Sequence, residues 1–192
     1  MPAVAAPAVR SPQIAPERLR FRWDQYLRMI EVGVLDGARA MFIHGEIVTM
    51  AAMKQPHAIG ISQTLHELQR LFGSGFYVRV QMPLEQAGND PEPDLAVLPG
   101  VPRDHQAMPA TALLVVEVAD SSFYYDTRTK AEIYAAAGLA DYWVLDVVDR
   151  QLIVFREPTA TGYQSKQTLA ETDTVSPLAA PSAAIRVADL LP

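Results

Sequence analysis

Three residues of this 192-residue chain have the types and spacing of a reaction site. Asp94 opens the short apolar run DLAVL over 94–98, Glu117 interrupts the apolar run over 112–118, and Lys130 follows on the next segment. Two hard oxygen donors on neighbouring strands beside an ammonium make up the set that divalent-metal phosphodiester hydrolysis uses. In that chemistry the carboxylates hold Mg²⁺, or Mn²⁺ in its place. The metal polarises the phosphate and acidifies a bound water, and the lysine orients that water or stabilises the developing charge. A structural explanation stands beside this one. Asp94 caps the turn after Pro93, and Glu117 satisfies a backbone donor or pairs with Lys130 or an arginine in a half-buried network. An ionised carboxylate left alone in an apolar strand is strongly unfavourable, so Glu117 needs a compensating cation of one kind or the other.

These residues require strands and a helix to place them. The run over 112–118 is apolar at both parities except at Glu117, which is the pattern of a central strand covered on both faces. Strands are also expected over 77–80, 94–98, 142–147 and 152–155, with Val148-Asp149-Arg150-Gln151 turning between the last two. Apolar runs over 40–43 and 47–50 flank His44-Gly45 and predict a hairpin. Leu27, Ile30 and Val34 give a short amphipathic helix capped by Asp24, and Ile59, Leu65, Leu68 and Phe72 give a second helix behind Pro56. A third is expected over 126–137, capped by Asp126 and closed by Gly138, with Asp126 four residues from Lys130 and able to pair with it instead. Strands outnumber helices and the helices fall between strand groups, so the fold class is α/β, or mixed α+β, a mixed sheet covered by helices.

Composition narrows the function classes. The chain has no Cys, which excludes disulfides, thiolate metal sites and a cysteine nucleophile, and fits a reducing, cytoplasmic compartment. No G-x-S-x-G elbow accompanies Ser121 and Ser122, and His44, His57, His66 and His105 lack zinc-ligand spacing. Sixteen Lys and Arg against 22 Asp and Glu give a net charge of −6, which opposes a nucleic-acid partner overall. Arg10, Arg18, Arg20, Arg22 and Arg28 nevertheless cluster with only Glu17 and Asp24 against them, and carboxylates that bind a divalent cation are neutralised in use. Residues 1–16 read as a flexible Ala/Pro-rich arm ahead of a single domain over 17–192.

The order GEIVTM (45–50), His57, PLE (83–85), PEPDLAVLPG (91–100), LLVVEVADSS (113–122), YDTRTKAEIYAAAGLADYWVLDV (125–147) and LIVFREP (152–158) resembles the Uma2 family of restriction endonucleases. The likeness runs in register from about residue 18 to the C-terminus. It implies a PD-(D/E)xK nuclease core, a mixed sheet flanked by helices, in which Asp94 and Glu117 bind Mg²⁺ and the Val118 carbonyl adds an oxygen. Nucleic acid, DNA by the family's label, is the implied partner. A homodimer is expected because two-fold symmetry serves the cutting of two strands.

This chain departs from the pattern twice. Ala119 stands two residues after Glu117, so the lysine of E-x-K is missing and Lys130 on the next helix takes its place, within reach of a four-carbon stem. Where the family commonly reads E-L-I-D-G-E, this chain reads Met41-Phe42-Ile43-His44-Gly45-Glu46 and keeps only the last acid. Glu46 is therefore a candidate auxiliary acid or an exposed strand residue, and His57 a candidate phosphate contact or a helix-terminal residue. The expected activity is Mg²⁺-dependent phosphodiester hydrolysis. The alternative is an impaired nuclease fold that binds nucleic acid or protein.

Overall fold

In the computed structural model the sheet is organised about β5 (Leu114–Ala119), buried at every position as its uninterrupted apolar pattern requires. Residues 18–50, 52–86 and 88–192 are described, so the expected arm over 1–16 lies outside the described residues. Six strands follow the order β3-β4-β5-β6-β7-β8, with β3 Phe76–Val80, β4 Leu95–Pro99, β6 Asp141–Asp146, β7 Gln151–Thr159 and β8 Gly162–Ala170. Only β5 and β6 pair in parallel, and every other neighbour is antiparallel. A parallel pair needs a crossover, supplied here by the helical segment between them. The expected mixed sheet flanked by helices is what forms.

Alternation along β5 divides two cores. Val116 and Val118 face a cluster with Leu68, Phe72, Trp143 and Leu145, covered by helix α2 (Gln55–Phe72). Val115 and Ala119 face the opposite cluster with Tyr134, Tyr142 and Val144, covered by α4 (Ala131–Ala136). Glu117 shares the parity of Val115, so its carboxylate points at that second helix. On the first face α2 lies close to the sheet because position 60 is glycine. A Cβ there would stand 2.8 Å from Val118 Cγ1.

The hairpin forms as expected from β1 (Ala40–Ile43) and β2 (Glu46–Thr49), with His44 and Gly45 both at positive φ, as a two-residue turn demands. Met41 and Ile43 pack with Ile133, setting the hairpin across the second helical layer. Three expectations are corrected. Helix α1 (Trp23–Glu31) buries Tyr26, while Leu27, Ile30 and Val34 are exposed. Tyr26 stacks on Phe42 at 4.7 Å and donates to Asp90, and this contact outweighs the aliphatic stripe. Arg22, not Asp24, stands at the N-cap and binds the Asp24 carboxylate. The third helical segment begins earlier than position 126, as α3 (Phe123–Tyr125) running through a π-helical stretch, Asp126–Lys130, into α4. Asp126 N–H already bonds to Ser122 O, so its carboxylate is free to turn inward instead of capping. β8 carries little strand pattern in its sequence, GYQSKQTLA, because it is a mostly polar edge.

Candidate active site

Strand register builds the site. Leu95 pairs with Val116 and Val80 with Leu95, so one further step sets Gln81, Asp94 and Glu117 side by side across three strands. Asp94 Oδ2 accepts the Val118 N–H at 2.9 Å, and Asp94 Oδ1 accepts from His57 Nε2 at 3.1 Å and Gln81 Nε2 at 3.2 Å. The Asp94 N–H points at Glu117 Oε2 at 3.4 Å, linking the two acids through the backbone. Lys130 Nζ reaches Glu117 Oε2 at 2.9 Å, and the Tyr134 hydroxyl donates to Glu117 Oε1 at 3.1 Å.

Asp126, Lys130 and Tyr134 recur every four residues, which puts all three on the sheet-facing side of the helix. Asp126 Oδ1 lies 3.4 Å from Lys130 Nζ without a hydrogen bond, while Ser122 Oγ donates to Asp126 Oδ2 at 2.5 Å. The π stretch Asp126–Lys130 falls at the site itself, where such irregularities concentrate.

Electrostatics follows from this burial. Glu117 and Asp126 are both buried beside one ammonium, so the carboxylates outnumber the cation between them. Burial pushes the Glu117 carboxyl up to about 8 in spite of Lys130, and burial likewise raises Asp126. Burial works against the Lys130 ammonium, yet the two carboxylates more than offset it and hold the group above its ordinary value. Asp94 is different. Burial opposes its charge, but His57, the Val118 N–H and Lys130 together lower its pKa, while the hydrogen bond to Asp94 raises that of His57.

Asp94, Glu117, Lys130 and His57 all line one cleft of about 260 Å³. Its far wall is the hairpin, with Met41, Val48 and Met50. Five carboxylates line it (Glu92, Asp94, Glu117, Asp120 and Asp126) against three permanent cations (Arg39, Lys54 and Lys130). Among the described residues no three His, Cys, Asp or Glu are grouped as a ready-made metal cage. Glu46 stands outside the cleft lining and pairs with Arg20 at 3.3 Å. His44 occupies the exposed hairpin turn, and Val118 meets Asp94 through its N–H. Tyr134 packs in the second core and is also the hydrogen-bond donor to Glu117. Glu92 and Gln81 were missed; Glu92 stands two residues before Asp94, but only the chain path around Pro91 and Pro93 turns it into the cleft.

A six-stranded mixed sheet with helices on both faces, and two acids side by side on adjacent strands, defines the class as α+β. The Uma2 family, described as "Putative restriction endonuclease", matches residues 23–188. The chain belongs to this family. Among solved structures, one described as a "putative nuclease belonging to DUF820", from Anabaena variabilis, superposes with a TM-score of 0.68 at 15% identity. That match covers 88% of this chain and 97% of the other, and it establishes a shared fold. No curated protein matches the chain. Among the described residues no helix is long and apolar enough to cross a membrane.

Proposed function

We propose that the protein is a Mg²⁺-dependent endonuclease that hydrolyses phosphodiester bonds in DNA. The observation that carries this reading is the alignment of Asp94 and Glu117 across adjacent strands in a cleft with more carboxylates than cations. Their oxygens are hard donors with no thiolate nearby, and Mg²⁺ is commonly held by one or two carboxylates while keeping several waters. The excess of five carboxylates over three permanent cations suits one divalent ion. Asp94 and Glu117 would hold it, with the Val118 carbonyl as a further ligand by family likeness and Mn²⁺ as a substitute ion. Bound there, the metal supplies charge neutralisation at the phosphate and a more acidic water.

The chain's own groups do the rest. The Val118 N–H and His57 fix the orientation of Asp94, while Tyr134 fixes that of Glu117. The Lys130 ammonium holds the attacking water by a hydrogen bond and stabilises negative charge growing on phosphorus-bound oxygen. Asp126 keeps that ammonium charged and pointed into the cleft. His57 offers a donor to a phosphate oxygen from the start of α2. Two copies related by a two-fold axis would serve the two strands of a duplex.

Titration of Mn²⁺ by calorimetry into wild type and Glu117→Gln, followed by incubation with supercoiled plasmid, tests this assignment. Metal binding and cleavage present in wild type and lost in the variant are expected. Equal binding by both proteins overturns it. A second reading, a nuclease fold that binds without cutting, is favoured by Met41, which places an apolar side chain on the cleft wall. Metal-independent DNA binding with no cleavage would select it.

A further inference from the structure

Two ion pairs stand at the mouth of the cleft, and they are built alike. Arg39 pairs with Glu92, and Lys54 Nζ pairs with Asp120 Oδ2 at 3.2 Å. In each pair the acid is the more buried partner and the cation the more exposed. The side chains of Glu92 and Asp120 are 15% and 21% exposed, whereas those of Arg39 and Lys54 are 49% and 65% exposed. The cations are held from the solvent side, where water screens the pairing and an ion pair is readily exchanged. Lys54 is also badly placed for its own helix. It occupies the N-cap of α2, whose first turn holds no acid, and a cation at the positive end of a helix is locally unfavourable. Its compensating acid, Asp120, comes from a segment distant in sequence, so Lys54 is placed to suit the cleft and not its own helix.

The two cations flank the cleft from different elements, Arg39 leading into the hairpin and Lys54 leading into α2. Both line the same cleft as the acids Asp94, Glu117 and Asp126. In a chain of net charge −6 these acids repel phosphate, and the strand's approach needs positive charge at the rim. We propose that Arg39 and Lys54 exchange their carboxylates for backbone phosphates of a nucleic-acid strand that enters the cleft. The choice of ligand rests on the nuclease reading. Glu92 and Asp120 hold the two cations in place when no strand is bound.

Counterion release makes this countable. Each phosphate neutralised on a single strand adds about 0.7 to the slope of log affinity against log salt concentration. Anisotropy of a labelled single-stranded oligonucleotide, with Ca²⁺ replacing Mg²⁺ so that the strand stays intact, reads the slope over a tenfold range of KCl. Arg39→Gln and Lys54→Gln are each expected to lower the slope by about 0.7, and the double variant by about 1.4. Arg39→Lys should keep the wild-type slope, which separates a charge contact from a purely structural role. Arg186→Gln removes the same net charge from an exposed pair with Asp189, near the far end of α2, and should leave the slope unchanged.

Unchanged slopes in both rim variants, an equal fall in Arg186→Gln, or no oligonucleotide binding by wild type each overturn the proposal. The underlying reading fails separately. Loss of slope in a protein that takes up no Mn²⁺ keeps this surface and removes the nuclease, while Mn²⁺ uptake with unchanged slopes does the reverse.

Discussion

Replacing Lys130 by Met removes the one ammonium that Glu117 and Asp126 face and leaves a side chain of similar reach in its place. In wild type one ammonium serves the two buried carboxylates, and in the variant none does. Breaking a buried ion pair by deleting one partner costs about 3–5 kcal/mol. That loss must depend on pH. A buried carboxyl whose pKa is raised on folding binds its proton more tightly than in the unfolded chain, so stability falls as pH climbs from the unfolded value through the folded one. Glu117 is already pushed from 4.5 up to about 8, and Asp126 is raised above 3.8. Without Lys130 the Glu117 carboxyl rises further, so the variant keeps this extra proton above about pH 8, where wild type loses it. Each such proton is worth about 1.4 kcal/mol per pH unit.

The difference between the two proteins should therefore widen by about 1.4 kcal/mol per pH unit as pH climbs above about 8. At about 2–4 °C per kcal/mol for a chain of this size, the melting temperatures should separate by roughly 3–6 °C for each pH unit in that range. Urea unfolding followed by fluorescence of Trp143, which lies in the core beside this strand, reads the effect directly. Adding Glu117→Gln to Lys130→Met removes one of the stranded charges, so the double variant should be more stable than Lys130→Met alone at about pH 8. Curves for wild type and Lys130→Met that run parallel in pH to within about 0.5 kcal/mol would show that the three groups do not form one coupled unit.

Other expectations follow from single contacts. Gly60→Ala places a Cβ 2.8 Å from Val118 Cγ1 and should destabilise by about 1–3 kcal/mol in thermal melts, with Val118→Ala relieving part of that loss in the double variant. Tyr134→Phe removes the donor to Glu117 Oε1 and should weaken Mn²⁺ binding by about 10–100-fold in calorimetry while the chain stays folded. The hydrogen bond to Asp94 raises the His57 pKa above 6.5, so the stabilisation from a charged His57 is complete below that value and fades as pH rises through the folded one. His57→Ala should then cost most in mildly acidic urea melts and least in alkaline ones, and a cost independent of pH would rule out the ion pair.

What could be read from the sequence divides along physical lines. Glu117 was legible because an acid inside an apolar run is anomalous whatever surrounds it, and Asp94 because it opens the neighbouring run; their alignment needed only the β4–β5 register. Lys130, Asp126 and Tyr134 share a period of four, so their common face was written in the chain, although the direction of that face was not. Asp126 resembled a cap because an acid ahead of a helical pattern usually is one, and only the earlier start at Phe123 turned it inward. Leu27, Ile30 and Val34 misled because periodicity identifies a helix but does not name the face its tertiary partner selects; the stacking of Tyr26 on Phe42 decided that. Arg39, Lys54 and Glu92 carry no local signal at all, since each is an ordinary surface residue until the hairpin and α2 are brought to the same cleft. The acids at the floor belong to strands and a helix whose patterns are strong, while the cations at the rim lie at the entrances to elements, where a sequence says least about position. The acidic half of the site is thus the better specified by sequence, and its rim depends on geometry that only the folded chain supplies.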